Sequence, residues 1–350
     1  MNNNILSCNH NLVKYLIENN EMPESYLNEG YLELYQKYDH CFNSTKFLYD
    51  RSGNTPHYLK IDPNAHPIPK DYKGFNLTFN EVAEKRCKEL LALGKPINVS
   101  WSGGLDSTFV LFSLYHYATD KSQIKVYGTY NSIIESGDLF DKYIKDKFNF
   151  DIHVNTEYKN NYRNKPDEIF VTGGNGNSIF YQDCDYHPPD SWMRFKQDGS
   201  KSEAIKYLAD KHYSYGLRDY NLEFLHNTII NSPRKIETLQ DLRWLVQFNF
   251  NWNTANINSY IGIGTERSKT VHTFFASEDF QKWSITNNDP PTKTGDYSDE
   301  RWQQREWLTE VFGISSYAKH KKNYTSVLSS IDTDWVFILN DYSNVYISDL

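Results

Sequence analysis

Residues 97–118 read INVSWSGGLDSTFVLFSLYHYA, and the division of this stretch decides the fold. Its first residues are β-formers that read as a short buried strand, Gly103-Gly104 is a turn, and the remainder is an apolar helix. A strand that turns through glycine into a helix is suited to hold an anion. Gly103 and Gly104 reach backbone angles that other residues avoid, and they let the chain approach a ligand closely. The helix that follows aims its positive dipole end and its open N–H groups at the same spot. Ser102, Ser107 and Thr108 add hydroxyl donors, and Asp106 either caps the helix or holds a magnesium ion through water. There is no G-x-x-x-x-G-K-[ST] pattern here, so the loop is not of the kind that delivers a γ-phosphate.

Size and composition set outer bounds. A chain of 350 residues has room for two or three domains. With 39% hydrophobic residues and 27 tyrosines it has ample material for a core. A formal charge of -8 argues against a nucleic-acid surface made by bulk charge. No apolar run approaches the length of a membrane span, so no membrane association is expected. The start, MNNNILSCNHNLVK, lacks a basic segment followed by an apolar core, so no secretory signal is read there. Cys8, Cys41, Cys87 and Cys184 form no CxxC pair, which fits scattered thiols in a reducing cytoplasm.

Outward from the glycine turn, three regions are expected: 1–75, 76–190 and 191–350. In the first, residues 1 to about 45 read as helical, 47–61 as a hairpin, and 62–73, with three prolines, as a linker. The second opens with a helix capped by Thr78, with Glu81 at capping-box spacing, that ends at Gly94. After the organising strand come a strand at 124–129, a helix at 138–148 and strands at 151–154 and 168–172. Alternating strand and helix signals a parallel sheet with helices on both faces. Right-handed crossovers would set the strand ends along one edge, outside which open sheets of this class bind ligands. A second glycine loop, Thr172-Gly173-Gly174-Asn175-Gly176-Asn177-Ser178, follows the last of these strands and reads as a second wall of that pocket. The third region is mostly helical, including 270–285 and 300–313, carries a basic cluster at 319–322, and closes in a hairpin. The fold class is therefore α/β with a mostly helical C-terminal region.

The Ser102–Ser107 sequence is similar to S-G-G-x-D-S, the phosphate loop of the N-type ATP pyrophosphatases, or PP-loop proteins, which have a HUP-like fold. From about residue 76 to 325 the chain resembles the synthetase domain of asparagine synthetases and their relatives, the β-lactam synthetases and macrolactam-forming cyclases. VTGGNGNSIF is similar to the family's second loop, S-G-x-G-x-D-E-x-F. TVHTFFASEDFQ resembles the segment around its P-F-L-D, RWQQREWLTEVFG its lysine-bearing helix, and YAKHKKNY its late basic stretch. The resemblance implies an adenylating ligase that attaches AMP to a carboxylate, releases pyrophosphate and lets ammonia or an amine attack the acyl adenylate. ATP and Mg2+ are the implied cofactors.

Carried onto this chain, the resemblance implies nucleotide contacts from Ser100, Ser102, Gly103, Gly104, Leu105, Asp106, Ser107 and Thr108. Thr129 would border the adenine or ribose, and Thr172, Gly173, Gly174 and Asn175 would wall the α-phosphate. Asp106 and Asn177 would hold the metal, and Lys319, Lys321 and Arg305 would act on the leaving pyrophosphate. Four positions depart from the pattern. Asn177 stands for a metal-binding Asp, Gly174 near a Glu, Ala276 for the P-F-L-D aspartate with Glu278 and Asp279 close by, and Arg305, next to Arg301, for the catalytic lysine. An Arg stabilises charge but cannot serve as a base. The 75 residues before the loop domain are too few for the family's glutaminase, so ammonia is expected free, on an amine substrate or from a separate partner. Two alternatives stand beside this reading. One is PP-loop chemistry on a nucleobase or nucleotide, with Tyr130, Tyr181, Tyr186 or Trp192 stacking the base. The other is an ATP- or AMP-binding subunit without catalysis.

Overall fold

The computed structural model describes residues 5–8, 42–43, 46–47, 67–152, 167–180, 229–237, 241, 244–250, 252, 270–286, 301–315, 317, 335–340 and 344–349. The chain forms two compact units, both discontinuous in sequence. One comprises 1–67, 193–265 and 332–350, the other 68–192 and 266–331. The first unit opens with β1 (Ile5–Cys8), followed by β2 (Phe42–Asn43) and β3 (Lys46–Phe47), which pair antiparallel. Further on, Trp244, Phe248 and Trp252 are buried and in ring contact. Arg234 lies over the Trp244 ring and pairs with Asp241 at 2.9 Å.

The second unit carries the parallel sheet. Its first helix, α1 (Phe79–Leu91), begins as the sequence predicts. Thr78 Oγ1 accepts the Glu81 N–H at 3.3 Å, and the Glu81 carboxylate accepts the Thr78 N–H at 2.7 Å. Its buried stripe, Phe79, Val82, Ala83, Cys87 and Leu90, recurs at three and four residues. Gly94 takes a positive φ of 65° just past the helix, and Pro96 leads into β4 (Ile97–Ser100). After the glycine turn, α2 (Leu105–Tyr117) is buried at every position from Ser107 to Leu114, which explains a sequence apolar all round.

Then follow β5 (Ile124–Gly128), α3 (Tyr130–Ser136), β6 (Asn149–Ile152), β7 (Ile169–Thr172) and the single turn α4 (Gly176–Ile179). The unit closes with β8 (Val271–Thr273), α5 (Glu278–Thr286) and α6 (Trp302–Phe312). All strand pairs are parallel and the order is β6-β5-β4-β7-β8. From β4 the chain steps out through β5 to β6, then returns to build β7 and β8 on the other side. The topology therefore reverses between β4 and β7, and ligands of open parallel sheets bind outside the strand ends at that point.

β9 (Trp335–Asn340) and β10 (Asn344–Asp349) complete the first unit as the hairpin read from sequence, and β1 pairs antiparallel with β9. Three local readings change. Ile5–Cys8 and Phe42–Asn43 lie in a stretch predicted helical, yet both are strands; the partner of the first, at 336–339, is distant in sequence. The predicted helix at 138–148 is shorter: α3 precedes it, Gly137 breaks the path at φ 58°, and Phe140–Ile144 winds as a π-turn with Lys145 N–H donating to Phe140 O at 2.9 Å. That turn sets the Phe140 ring 6.1 Å from Trp101 and 4.9 Å from Phe150. Residues 271–273, read as helical, form the edge strand of the sheet. The predicted hairpin beyond Phe47 and most of the helical pattern read before residue 229 lie outside the described residues.

His272 sits on β8 beside Val171 of β7. Burial, with the positive charges of Arg86 and Lys95 adding to it, depresses its pKa from 6.5 to about 4. The unfolded chain takes up this proton near pH 6.5 and the folded chain only near pH 4. The stabilisation is therefore complete above 6.5 and is lost as pH falls from 6.5 to about 4. His272→Gln is expected to flatten urea-midpoint curves across this window, removing a loss of roughly 3 kcal/mol.

Candidate functional site

The two glycine loops leave the sheet from one rung. Ser100, the last residue of β4, pairs with Thr172, the last of β7, and with Tyr127 on β5. Trp101 extends the path, its N–H donating to Tyr127 O at 2.7 Å. Gly103 turns the chain at φ 82°, where an added Cβ would meet Ser132 O at 2.2 Å. Glycine is required there both by conformation and by the closeness of α3.

Within the loop the polar groups mostly serve each other. Ser107 Oγ accepts from Ser102 N–H and donates to Gly104 O, each at 3.1 Å. Ser102 Oγ accepts the Gly104 N–H at 3.3 Å and is the exposed hydroxyl of the set. Gly104 is the N-cap of α2 and has no side chain to close it. The N–H groups of Leu105, Asp106 and Ser107 consequently have no partner among the described residues. They form a helix N-terminus whose donors are left unpaired, the arrangement that anion sites use.

The second loop lies directly against this N-terminus. A Cβ on Gly173 would stand 2.9 Å from Ser107 N, and one on Gly176 would stand 2.4 Å from Asp106 Cγ. Any side chain at either position would push the loops apart. Thr172 Oγ1 accepts the Gly174 N–H at 3.3 Å, and Asn175 takes a left-handed φ of 62° as the chain enters α4. Thr129 caps α3 through a reciprocal bond with Ser132, and Tyr130 next to it is 66% exposed.

Helix α6 closes the site from the other side. Arg301 is its N-cap, with φ 51° in the left-handed region that non-glycine residues seldom adopt. Its Nη1 pairs with Asp106 Oδ2 at 2.9 Å, and its Nη2 donates to Asn177 Oδ1. Gln304 Nε2 donates to Asp106 Oδ1 at 3.0 Å. Arg305, buried one position further, donates to the backbone oxygen of Tyr317. The Tyr317 hydroxyl donates to Gly103 O at 2.6 Å and lies 2.9 Å from Thr108 Oγ1, which accepts from Trp101 Nε1 at 2.9 Å. A carbonyl only accepts and an indole only donates, which fixes the proton order. Trp101 donates to Thr108, Thr108 to Tyr317, and Tyr317 to the phosphate-loop candidate. The Thr108 hydroxyl is therefore turned to this chain and away from a ligand.

A magnesium ion, which the resemblance implies, does not fit these residues. Asp106 and Asn177 are both bonded to one guanidinium, and both Asp106 oxygens are engaged. Glu278 pairs with Lys282 at 2.7 Å and Asp279 with Lys85 at 2.5 Å, so lysines hold both neighbours of Ala276. Among the described residues no group of three or more His, Cys, Asp or Glu could hold a metal. A divalent ion about 4 Å from a guanidinium is repelled by roughly 8 kcal/mol at an effective dielectric of about 20.

The structure thus brings Ser102, Gly103, Gly104, Leu105, Asp106, Ser107, Gly173, Gly174, Asn175 and Asn177 around one helix start, with Arg305 two contacts away through Tyr317. Lys319, Lys321, Tyr181, Tyr186 and Trp192 lie outside the described residues. Tyr317, Gln304 and Trp101 are absent from the sequence-based set, and Arg301 appears there only as a neighbour. The spacing of Arg301, Gln304 and Arg305 at i, i+3 and i+4 puts them on one helix face, a signal the sequence does carry. Compared with models of known protein families and with curated proteins, the chain matches none. Among the described residues no helix is long and apolar enough to cross a membrane.

Tyr317→Phe removes the donor to Gly103 O and leaves the Thr108 hydroxyl without its acceptor. The variant is expected to lose about 1–2 kcal/mol in urea unfolding, and Thr108→Val on that background to cost less than Thr108→Val alone.

Proposed function

We propose that this chain binds ATP at the two glycine loops and uses it as an adenylating ligase of the asparagine synthetase type. The observation that carries the reading is the meeting of both loops at the open start of α2, with Gly173 against Ser107 and Gly176 against Asp106. The N–H groups of Leu105, Asp106 and Ser107 and the exposed Ser102 hydroxyl suit the phosphates. In the reaction, a substrate carboxylate oxygen attacks the α-phosphorus and the α–β bridging bond breaks. Pyrophosphate leaves, giving an acyl adenylate. Ammonia or an amine then attacks the acyl carbon, AMP departs with the C–O electron pair, and the nitrogen loses a proton. Arg301, fixed beside the loops, is the described cation best placed to offset charge on the departing pyrophosphate. Lys319 and Lys321 are further candidates for that task, while Arg305 positions Tyr317.

A second reading has one specific observation in its favour. Arg301 covers both oxygens assigned to a metal, which suits a nucleotide-binding subunit without catalysis. Pyrophosphate–ATP exchange separates the two, scanned over pooled amino acids, small carboxylic acids and nucleotides, with and without magnesium. Label entering ATP in the presence of one carboxylate pool, and lost in Asp106→Asn, is the expected result. Measurable ATP binding with no exchange in any pool would leave the non-catalytic reading in its place.

A further inference from the structure

We infer that the site takes its nucleotide phosphate free of any divalent cation, the Arg301 guanidinium being the cation built into its wall; the inference rests on the nucleotide reading above. Asp106 is the acidic side chain that the two loops contribute, and its two oxygens are held by different donors, Arg301 Nη1 at 2.9 Å and Gln304 Nε2 at 3.0 Å. The amide oxygen of Asn177, across the gap on the second loop, is bonded to the same guanidinium. One planar group therefore spans the two oxygens between which a metal would have to sit. A cation entering there would have to displace Arg301 from both partners and remain beside its charge.

The backbone holds Arg301 in that position. Its left-handed conformation is costly for a residue with a Cβ, and it starts α6, with the Gln304 and Arg305 N–H groups donating to its carbonyl at 3.0 and 3.3 Å. Moving the guanidinium aside means rotating a buried side chain whose main chain is fixed by a helix. The second mark of a ligand is Gln304. It is wholly buried, its Nε2 is bonded to Asp106, and its Oε1 has no hydrogen-bond partner among the described residues. A buried acceptor without a partner beside the ion pair calls for a donor, and a nucleotide hydroxyl is one such group.

The test is calorimetric titration of the full chain with ATP, once in EDTA and once in excess magnesium chloride. Binding in EDTA that is as tight as in magnesium, or tighter, is the expected result. In EDTA, Arg301→Gln should weaken binding by about tenfold or more, and Arg301→Lys, which keeps charge without the fork, by less. Binding that needs magnesium, or that magnesium tightens by more than about tenfold, overturns the inference and leaves the nucleotide reading in place. Absence of ATP binding in both media overturns the nucleotide reading, and this inference with it. Circular dichroism establishes whether Arg301→Gln is folded; if it is not, the wild-type comparison decides alone.

Discussion

The parallel pairing of β4 with β7 is the constraint on which the site depends. It sets Ser100 and Thr172 on one rung, so two loops far apart in sequence leave the sheet at the same height. Ile169, Phe170 and Val171 are buried on both faces of β7, so the strand is packed from both sides as well as paired. With the register fixed, the loops have to share one small volume. They do so because the contacting positions are glycines, which lets the second loop lie against the start of α2.

The same volume is closed by charge. Arg301, Asp106, Asn177 and Gln304 join α6, α2 and the second loop through one polar cluster. Removing one partner of a largely buried ion pair costs roughly 3–5 kcal/mol, because the remaining charge is stranded. The cluster thus ties helix packing to the shape of the site. The Trp101–Thr108–Tyr317 series reinforces this from beneath, since each hydroxyl in it accepts one proton and donates another toward the Gly103 carbonyl. Trp101 is itself packed against Phe140 and Phe150, so the aromatic core and the loop share a residue.

Much of this was legible in the chain. The glycine turn, the strands around it and the capping box of Thr78 and Glu81 are local signals, readable over a few residues, and the structure places them as read. So is the second loop after 168–172. What escaped depends on partners remote in sequence. Val271–Thr273 is three residues long and becomes a strand because β7 offers an open edge. Ile5–Cys8 is a strand because of β9. The bond from Arg301 to Asp106 joins residues almost two hundred positions apart, and no local pattern distinguishes an arginine that seals a loop from one on a solvated helix. The sequence drew attention to Arg305 and the lysines after it, whereas the geometry puts Arg301 at the loops.

The placement of β1 beside β9 bears on how the chain acquires its form. The segment that pairs with Ile5–Cys8, Trp335–Asn340, is made some three hundred residues after it. Until β9 is made this strand lacks the partner it has in the fold, and as the edge strand of its sheet it keeps one unpaired side afterwards, the kind of surface that associates with other chains. The parallel unit, by contrast, brings β4 and β5 together over a short crossover and can begin to form while the rest is still being made. The strand that leads into the first glycine loop is thus paired early, while Ile5–Cys8 still awaits β9, so the two sheets begin at different stages of synthesis.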